Sequence, residues 1–473
     1  MWIEEELQRD SAGIQRAIQT ITRDYHKQLP PSIRSHIHEN KEKTTEFLNH
    51  FYDQLRNAEF FVYQTMTASA DAAGDEPRRP AFQLTEIKNS ANDLPHPRIL
   101  SELQRVYDIR RRQHGTDGDD DRYIPYKVYS YIREKSEYCI KFQSNIHGRA
   151  ISLYFITFPE SHIAVCNKGH GGVCASEIAV YQLYAYKVFM WLSIVTSLAD
   201  KDCSEKSLNV YFYMTPFKKQ RPTDDAILSA IHVNTGLTRN CETHGEIVVY
   251  RAEEWFKVFI HESMHNFNMD FIDMGLHEAN EQLRRTFCIP HDDILLFETY
   301  TETWARIINT MFDAYFKKDQ SSSSSSSSSR SHFIHTVREK LTSNAVFYAY
   351  QAVKVLEIMD LKYAHITIPS AENTEVCRKR YAEDTNVYAY YILGGILSVY
   401  ALPFISWCCQ HNRGGVGAIR FSQTTNHLKQ FVEFIMSAAR DPVILSMVMF
   451  LEEKSSTQSI LSLLKNTMRM TME

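Results

Sequence analysis

The five residues His261-Glu262-Ser263-Met264-His265 constrain this chain more than any other segment. Glu253-Glu254-Trp255-Phe256-Lys257-Val258-Phe259-Ile260 leads into them with neither glycine nor proline, and its acidic start suits a helix N-terminus. The spacing therefore predicts a helix. On a helix, positions four apart share one face, so both imidazoles reach a single metal ion, each through a ring nitrogen at about 2.0–2.1 Å. Glu262 lies about 100° further round. Its carboxylate then stands beside the ion rather than on it, the place for a base acting on a zinc-bound water. With 20 histidines among 473 residues, and glutamate taken as roughly half of the 57 acids, chance produces such a motif about 0.05 times per chain. The plain alternative is an amphipathic helix with two histidines at its polar boundary, so the surrounding sequence has to decide.

A catalytic zinc site takes three protein ligands and leaves one position open. The metzincin pattern fails here: Asn268 stands where a glycine is needed and Phe271 where a third histidine is needed. Downstream, Trp304, Ile307, Ile308, Met311 and Phe312 form an apolar helical stripe. Glu298 and Glu302 lie four apart on another face, with the small residues Thr301 and Ala305 near them. We expect Glu298 as the third ligand. Glu302 then accepts the outer N–H of a ligating histidine and fixes its tautomer. The reverse assignment stays open, and the plain alternative is a pair of solvated glutamates on a surface helix. Asp270, Asp273, His277 and His291 are weaker rivals for the third position. Upstream, residues 231–237 and 245–251 read as two short strands before the helix.

Taken together, residues 231–308 resemble the gluzincin branch of the HExxH zinc metallopeptidases. Glu298, Glu302, Trp304, Ala305 and Arg306 look like the third-ligand helix of the lethal-factor type of gluzincin. The run from Val233-Asn234-Thr235-Gly236 through Tyr250-Arg251-Ala252-Glu253-Glu254 to the His261 helix is similar to uncharacterised metallopeptidase-like proteins of large nucleocytoplasmic DNA viruses. The resemblance covers about 80 residues well. It implies Zn2+ as cofactor, peptide-bond hydrolysis with Glu262 as base, and a peptide or protein substrate held by strand addition along an edge strand beside the helix. It also implies viral structural proteins as partners. One departure stands out, because zincins usually add a Tyr or His that stabilises the oxyanion. Tyr300, His291, Tyr388, Tyr390 and Tyr391 are the candidates, and none can be singled out. The rival function is therefore a catalytically weak or inactive zincin-fold virion or scaffold protein with a structural metal site.

Composition bounds the rest. Apolar residues make up 44% and aromatics 12%, enough for a sizeable core and too much for wholesale disorder. The charge of -5 argues against a bulk electrostatic grip on nucleic acid or anionic lipid. The one basic run, Arg110-Arg111-Arg112, is flanked by Asp108 and by Asp117, Asp119, Asp120 and Asp121, with no interleaved aromatic residue, so it reads as a solvated loop. The nine cysteines (139, 166, 174, 203, 241, 288, 377, 408 and 409) are odd in number and contain no CxxC pair, against a disulfide framework or a thiolate zinc ribbon. The acidic N-terminus lacks an apolar signal region. The expected setting is intracellular, in host cytoplasm or in a virion if viral, and not secreted.

The expected architecture is α+β, mainly α, with a zincin-like core in which a small twisted sheet lies over the motif helix. Residues 1–67 form a helical N-terminal region and 68–122 a loop-rich linker. The catalytic core occupies 123–320. In it, residues 138–142 and 151–158 read as strands joined by a turn at 145–149, and 208–214 as a further strand. The nine serines at 321–329 belong to a flexible surface insertion, 321–330. Residues 331–473 are a helical C-terminal region that completes the cleft. The uncharged stretch 387–409, interrupted by Pro403, reads as a buried core helix, and no membrane span is expected.

Overall fold

Alternating apolar and polar residues build a sheet in which each strand sends one set of side chains to each face. The computed structural model describes residues 2–30, 32–68, 82–86, 95–114, 123–159, 175–204, 207–223, 227–288, 294–317, 326–455 and 462–472. Its strands are β1 (Phe82–Glu86), β2 (Tyr138–Ile146), β3 (Arg149–Thr157), β4 (Ser207–Tyr213), β5 (Gly236–Thr238) and β6 (His244–Val249). They form one mixed sheet in the order β1-β2-β3-β4-β6-β5. The pairs β3/β4 and β4/β6 are parallel; the others are antiparallel. The rest of the described chain is largely helical, so the protein is α+β and mainly α.

The chain forms two compact units. The first comprises Met1–Gln8, Asp53–Lys219 and Asn234–Met269, and it holds the sheet. The β2–β3 hairpin turns through two residues, His147 and Gly148, at φ 51° and 86°, as the right-handed twist of the strands prefers. Asn145 Oδ1 accepts the Gly148 N–H at 2.8 Å and closes the turn. Ile140, Phe142, Leu153, Phe155, Val210 and Phe212 are all buried on one face. That face packs against the helices Ala175–Leu198 and Trp255–Asn266, with Phe155 on Tyr181 at 5.3 Å and Phe212 on Phe259 at 5.5 Å. The long helix is the crossover that parallel β3 and β4 require. On the other face, Tyr154 stacks on Tyr211 at 4.7 Å. The Glu246 carboxylate accepts the N–H groups of Arg98 and Ile99 at 3.1 and 3.2 Å, capping the helix Arg98–His114.

The second unit comprises Arg9–Tyr52, Gln220–Val233 and Asp270–Glu473. Trp304 of the helix Leu296–Phe316 is its centre, with Phe47 at 5.5 Å on one side and Phe404 at 5.5 Å on the other. Asp441 is a polar hub. Its Oδ2 accepts from Ser35 Oγ at 3.1 Å and from the His36 and Ile37 N–H groups at 2.5 and 3.3 Å. Its Oδ1 accepts from Tyr400 Oη at 2.7 Å and from the Val443 N–H at 3.0 Å, at the start of the helix Pro442–Ser455.

Several expectations are corrected. The stretch 387–409 is not one core helix. A π-helical segment, Tyr388–Leu393, runs into Gly394–Val399, and Ala401–His411 follows at 90° to them. The break falls at Tyr400, whose hydroxyl Asp441 holds. Pro403 sits in the first turn of the second helix, where its missing N–H costs nothing. Arg110–Arg112 continue the helix Arg98–His114 rather than forming a loop, and β1 lies within the expected linker; the side chains of 108–122 lie outside the described residues. Serines 326–329 begin the helix Ser326–Ile358, while 321–325 lie outside the described residues. The strand expected at 231–237 is a helical turn, Ala230–Val233, followed by β5. Among the described residues one disulfide, Cys203–Cys241, is present with its Cα atoms 5.0 Å apart. Counting cysteines addresses frameworks and says nothing of a single bridge. By length and composition alone, Ile178–Leu198 is apolar enough to cross a membrane, and so is each of two helix pairs bent by 90° and 52°.

Glu383 gives the second unit a pH dependence. Its Oε2 accepts from Tyr381 Oη at 2.7 Å and from the Tyr388 N–H at 2.6 Å. Burial pushes its carboxyl up to about 7 from its ordinary 4.5, against those hydrogen bonds. The folded state therefore holds this proton more tightly than the unfolded chain. The associated stability is full below pH 4.5 and is lost as pH rises through about 7. Denaturant melts from pH 4 to 8 should show wild type losing up to roughly 3 kcal/mol relative to Glu383→Gln across that window.

Candidate metal centre

The motif helix Trp255–Asn266 is fastened at both ends and along its side. Before it, Glu254 lies in the left-handed region at φ 59° and ψ 21°, a conformation costing on the order of 1 kcal/mol or more in a non-glycine residue. Lys219 holds it there: Lys219 Nζ meets Glu254 Oε2 at 2.8 Å with both side chains out of solvent. Glu253 Oε2 accepts the Lys219 N–H at 2.6 Å. At the far end Asn268 is left-handed at φ 52°. The Asn268 N–H donates to His265 O at 3.0 Å and the Met269 N–H to Met264 O at 2.9 Å. These two bonds are a Schellman stop with asparagine in the glycine place, which is what the +3 residue of the motif does in this chain.

The sides of the helix divide the work. Val258, Glu262 and Asn266 form one stripe, spaced four apart, that faces β5. Gly236 lies against Val258 and Glu262, and Asn266 Nδ2 donates to Arg239 O at 3.1 Å. Ser263 Oγ accepts from Trp191 Nε1 at 2.6 Å, tying the helix to Ala175–Leu198. Arg149 is buried, its guanidinium 4.3 Å from the Phe267 ring centroid and its Nη2 donating to Asn266 Oδ1 at 3.3 Å. Burial brings its pKa down to about 10. It therefore stays charged at neutral pH, and a cation there favours the helix C-terminus.

His261 and His265 form the adjacent stripe, and their Nε2 atoms are 3.1 Å apart. Among the described residues, His261, His265 and Glu298 are a group that could hold a metal ion. A tetrahedral zinc with ligands at about 2.0–2.1 Å sets those atoms roughly 3.3 Å apart. The histidine pair already matches that spacing, and the donor set of two imidazoles and a carboxylate suits zinc.

Glu298 is half-buried in the first turn of its helix, and Glu302 one turn on is buried. The alternative of two solvated glutamates on a surface helix is thereby corrected. The partner seen for Glu302 is Arg306, whose Nε meets its Oε1 at 2.9 Å. Arg306 in turn donates to Ser398 Oγ at 3.0 Å and Tyr390 O at 2.9 Å. The i, i+4 spacing of Glu302 and Arg306 was the signal for this pair. Among the rivals, Asp270 Oδ1 caps the Ile272 N–H at 2.9 Å, Asp273 and His277 are exposed, and His291 lies outside the described residues. The oxyanion candidates are placed as follows. Tyr300 Oη donates to Ile419 O at 2.9 Å and Tyr391 Oη to Met468 O at 2.5 Å; Tyr388 is buried and Tyr390 half-buried.

Replacing Lys219 by methionine strands the Glu254 carboxylate in the interior. Urea melts should show a loss of about 3–5 kcal/mol, partly restored by adding Glu254→Gln.

Comparison of the chain with protein-family models, with curated proteins and with solved structures gave no match. The functional reading therefore stands on the motif, the helix that carries it and the group of ligand atoms.

Proposed function

We propose that this protein is a zinc-dependent metallopeptidase of the HExxH, gluzincin type, with a zincin-like core. His261, His265 and Glu298 would hold the zinc, and Glu262 would be the base. The observation that carries the reading is the histidine pair, His261 and His265 with their Nε2 atoms 3.1 Å apart, on a helix whose next stripe bears Glu262. Supporting it, β5 is one of the two edge strands of the mixed sheet among the described residues and lies against that same stripe. An extended peptide or protein substrate adding to the free edge of β5 would pass beside the base. Zinc held there would supply Lewis acidity that makes water a better acid and nucleophile near neutral pH. Glu262 takes the proton of the attacking water at its carboxylate and delivers it to the leaving amine. Glu302, paired with Arg306, would hold the helix of Glu298 in place.

A second reading is a weak or inactive zincin-fold virion or scaffold protein. It is favoured by the tyrosine placements, since the hydroxyls of Tyr300 and Tyr391 are committed to main-chain carbonyls. In either reading the setting is intracellular or within a virion, with viral structural proteins as partners and no nucleic acid bound. In a reducing compartment Cys203 and Cys241 would stand as two thiols.

Two measurements decide. Glu262→Gln should keep stoichiometric zinc by elemental analysis while peptide cleavage drops by about 10²-fold or more. Equal cleavage by the two proteins would remove the mechanism. Wild type with zinc and no cleavage would leave the second reading. His261→Ala and His265→Ala should each lose the zinc, and chelation of wild type should abolish cleavage until zinc is returned.

A further inference from the structure

At Gly236 the edge strand brings bare backbone against the Val258 and Glu262 side chains of the motif helix. A Cβ built on Gly236 would stand 2.8 Å from Val258 Cγ1 and 2.9 Å from both Cγ and Oε1 of Glu262. Such atoms essentially never come closer than 3.0 Å to a neighbour, so a side chain here forces something to move. The reason for glycine is close approach. Among the described residues the positive-φ glycines are Gly148 and Gly415, not Gly236. A glycine inside a strand often marks such an approach.

What can move is limited. Val258 is buried and β-branched, and a valine in a helix has in effect one χ1 rotamer. The strand is pinned by its pairing of Gly236 with Val249. Two residues on, Thr238 Oγ1 donates to Glu246 O at 2.7 Å. The Asn266 amide reaches the same hydroxyl at 3.3 Å. The Glu262 side chain is the pliable neighbour, and it occupies the volume that a side chain at position 236 would claim.

We infer that Gly236 is a positioning residue for Glu262: the bare strand backbone forms the wall that fixes where this carboxylate points. The kinetic consequence rests on the peptidase reading above; the packing consequence does not. A methyl group at 236 displaces the carboxylate while leaving His261 and His265, on the adjacent stripe, untouched. A misplacement of about 1 Å at a reacting group typically costs 10²-fold in rate.

The test is Gly236→Ala in the full-length, zinc-loaded chain, with Gly275→Ala as control because a Cβ there meets nothing within 4 Å. Zinc content should be unchanged and kcat should fall by about 10²-fold, with KM within about twofold of wild type. In a Glu262→Gln background, Gly236→Ala should lower the residual rate no further, since both changes remove one function. A merely structural role would add to the loss. A crystal structure of Gly236→Ala should show the Glu262 carboxylate displaced and the motif helix in place. Wild-type kcat in Gly236→Ala, or an unmoved Glu262 in that crystal structure, overturns the inference. Zinc-loaded wild type that cleaves nothing removes the peptidase reading instead, and the crystal comparison still decides the packing claim. If Gly236→Ala fails to fold, the Glu262→Ala background decides. Recovery of folding there supports the inference, and no recovery overturns it.

Discussion

One helix must present two stripes at once, and the rest of the first unit is arranged so that it can. With 3.6 residues per turn, His261 and His265 share a direction that Glu262 misses by about 100°. The histidine pair and the glutamate are thereby set in different directions without any loop. The arrangement works only if the helix neither slides nor rolls. The fastenings are correspondingly polar and buried: Lys219 with Glu254 at the start, Ser263 with Trp191 on the flank, Asn266 with Arg149 at the end. Apolar contacts alone tolerate small rolls because dispersion is non-directional. A buried hydrogen bond does not, since stretching it leaves a desolvated group without its partner.

The second unit solves a different problem. The helix of Glu298 is buried along nearly its whole length, so its register is set by packing on every side. Trp304 is the wedge between Phe47 and Phe404, three segments widely separated along the chain. Glu302 and Arg306 add direction to that packing by reaching Ser398 and Tyr390. Glu298 stands in the first turn of that helix, where the helix dipole favours a carboxylate.

Much of this was legible from local pattern. The motif helix, the β2–β3 hairpin and the apolar stripe through Trp304 follow from periodicities of 3.6 and 2, and turn residues punctuate them. Helix phase alone admits Glu298 and Glu302 alike as the third ligand, so the preference for Glu298 is an assignment that the sequence leaves open. What escaped were facts set by distant contacts. The break at Tyr400 depends on Asp441, forty-one residues away, whereas Pro403 drew attention to the wrong place. The Cys203–Cys241 bridge depends on β4 and β6 lying side by side. Arg110–Arg112 looked like loop because charge and neighbouring aspartates outweighed helix propensity in the reading. Gly236 carried a signal that went unread, since an isolated glycine at the start of a short strand already asks which neighbour approaches it.

The Asp441 hub has a bearing on how the chain is made. Its carboxylate gathers Ser35, His36 and Ile37, the last of these 404 positions earlier in the sequence. At roughly 5–20 residues per second, a ribosome takes about 20–80 s to add the residues between them. Throughout that interval the early segment has been synthesised and its acceptor has not. The buried stripe of Ile14, Ile18, Ile21 and Tyr25, which packs its tyrosine on Phe450 at 5.5 Å, waits even longer. Nascent chains of this protein thus carry a greasy amphipathic segment in need of temporary shelter, and translation speed and chaperone supply become determinants of yield.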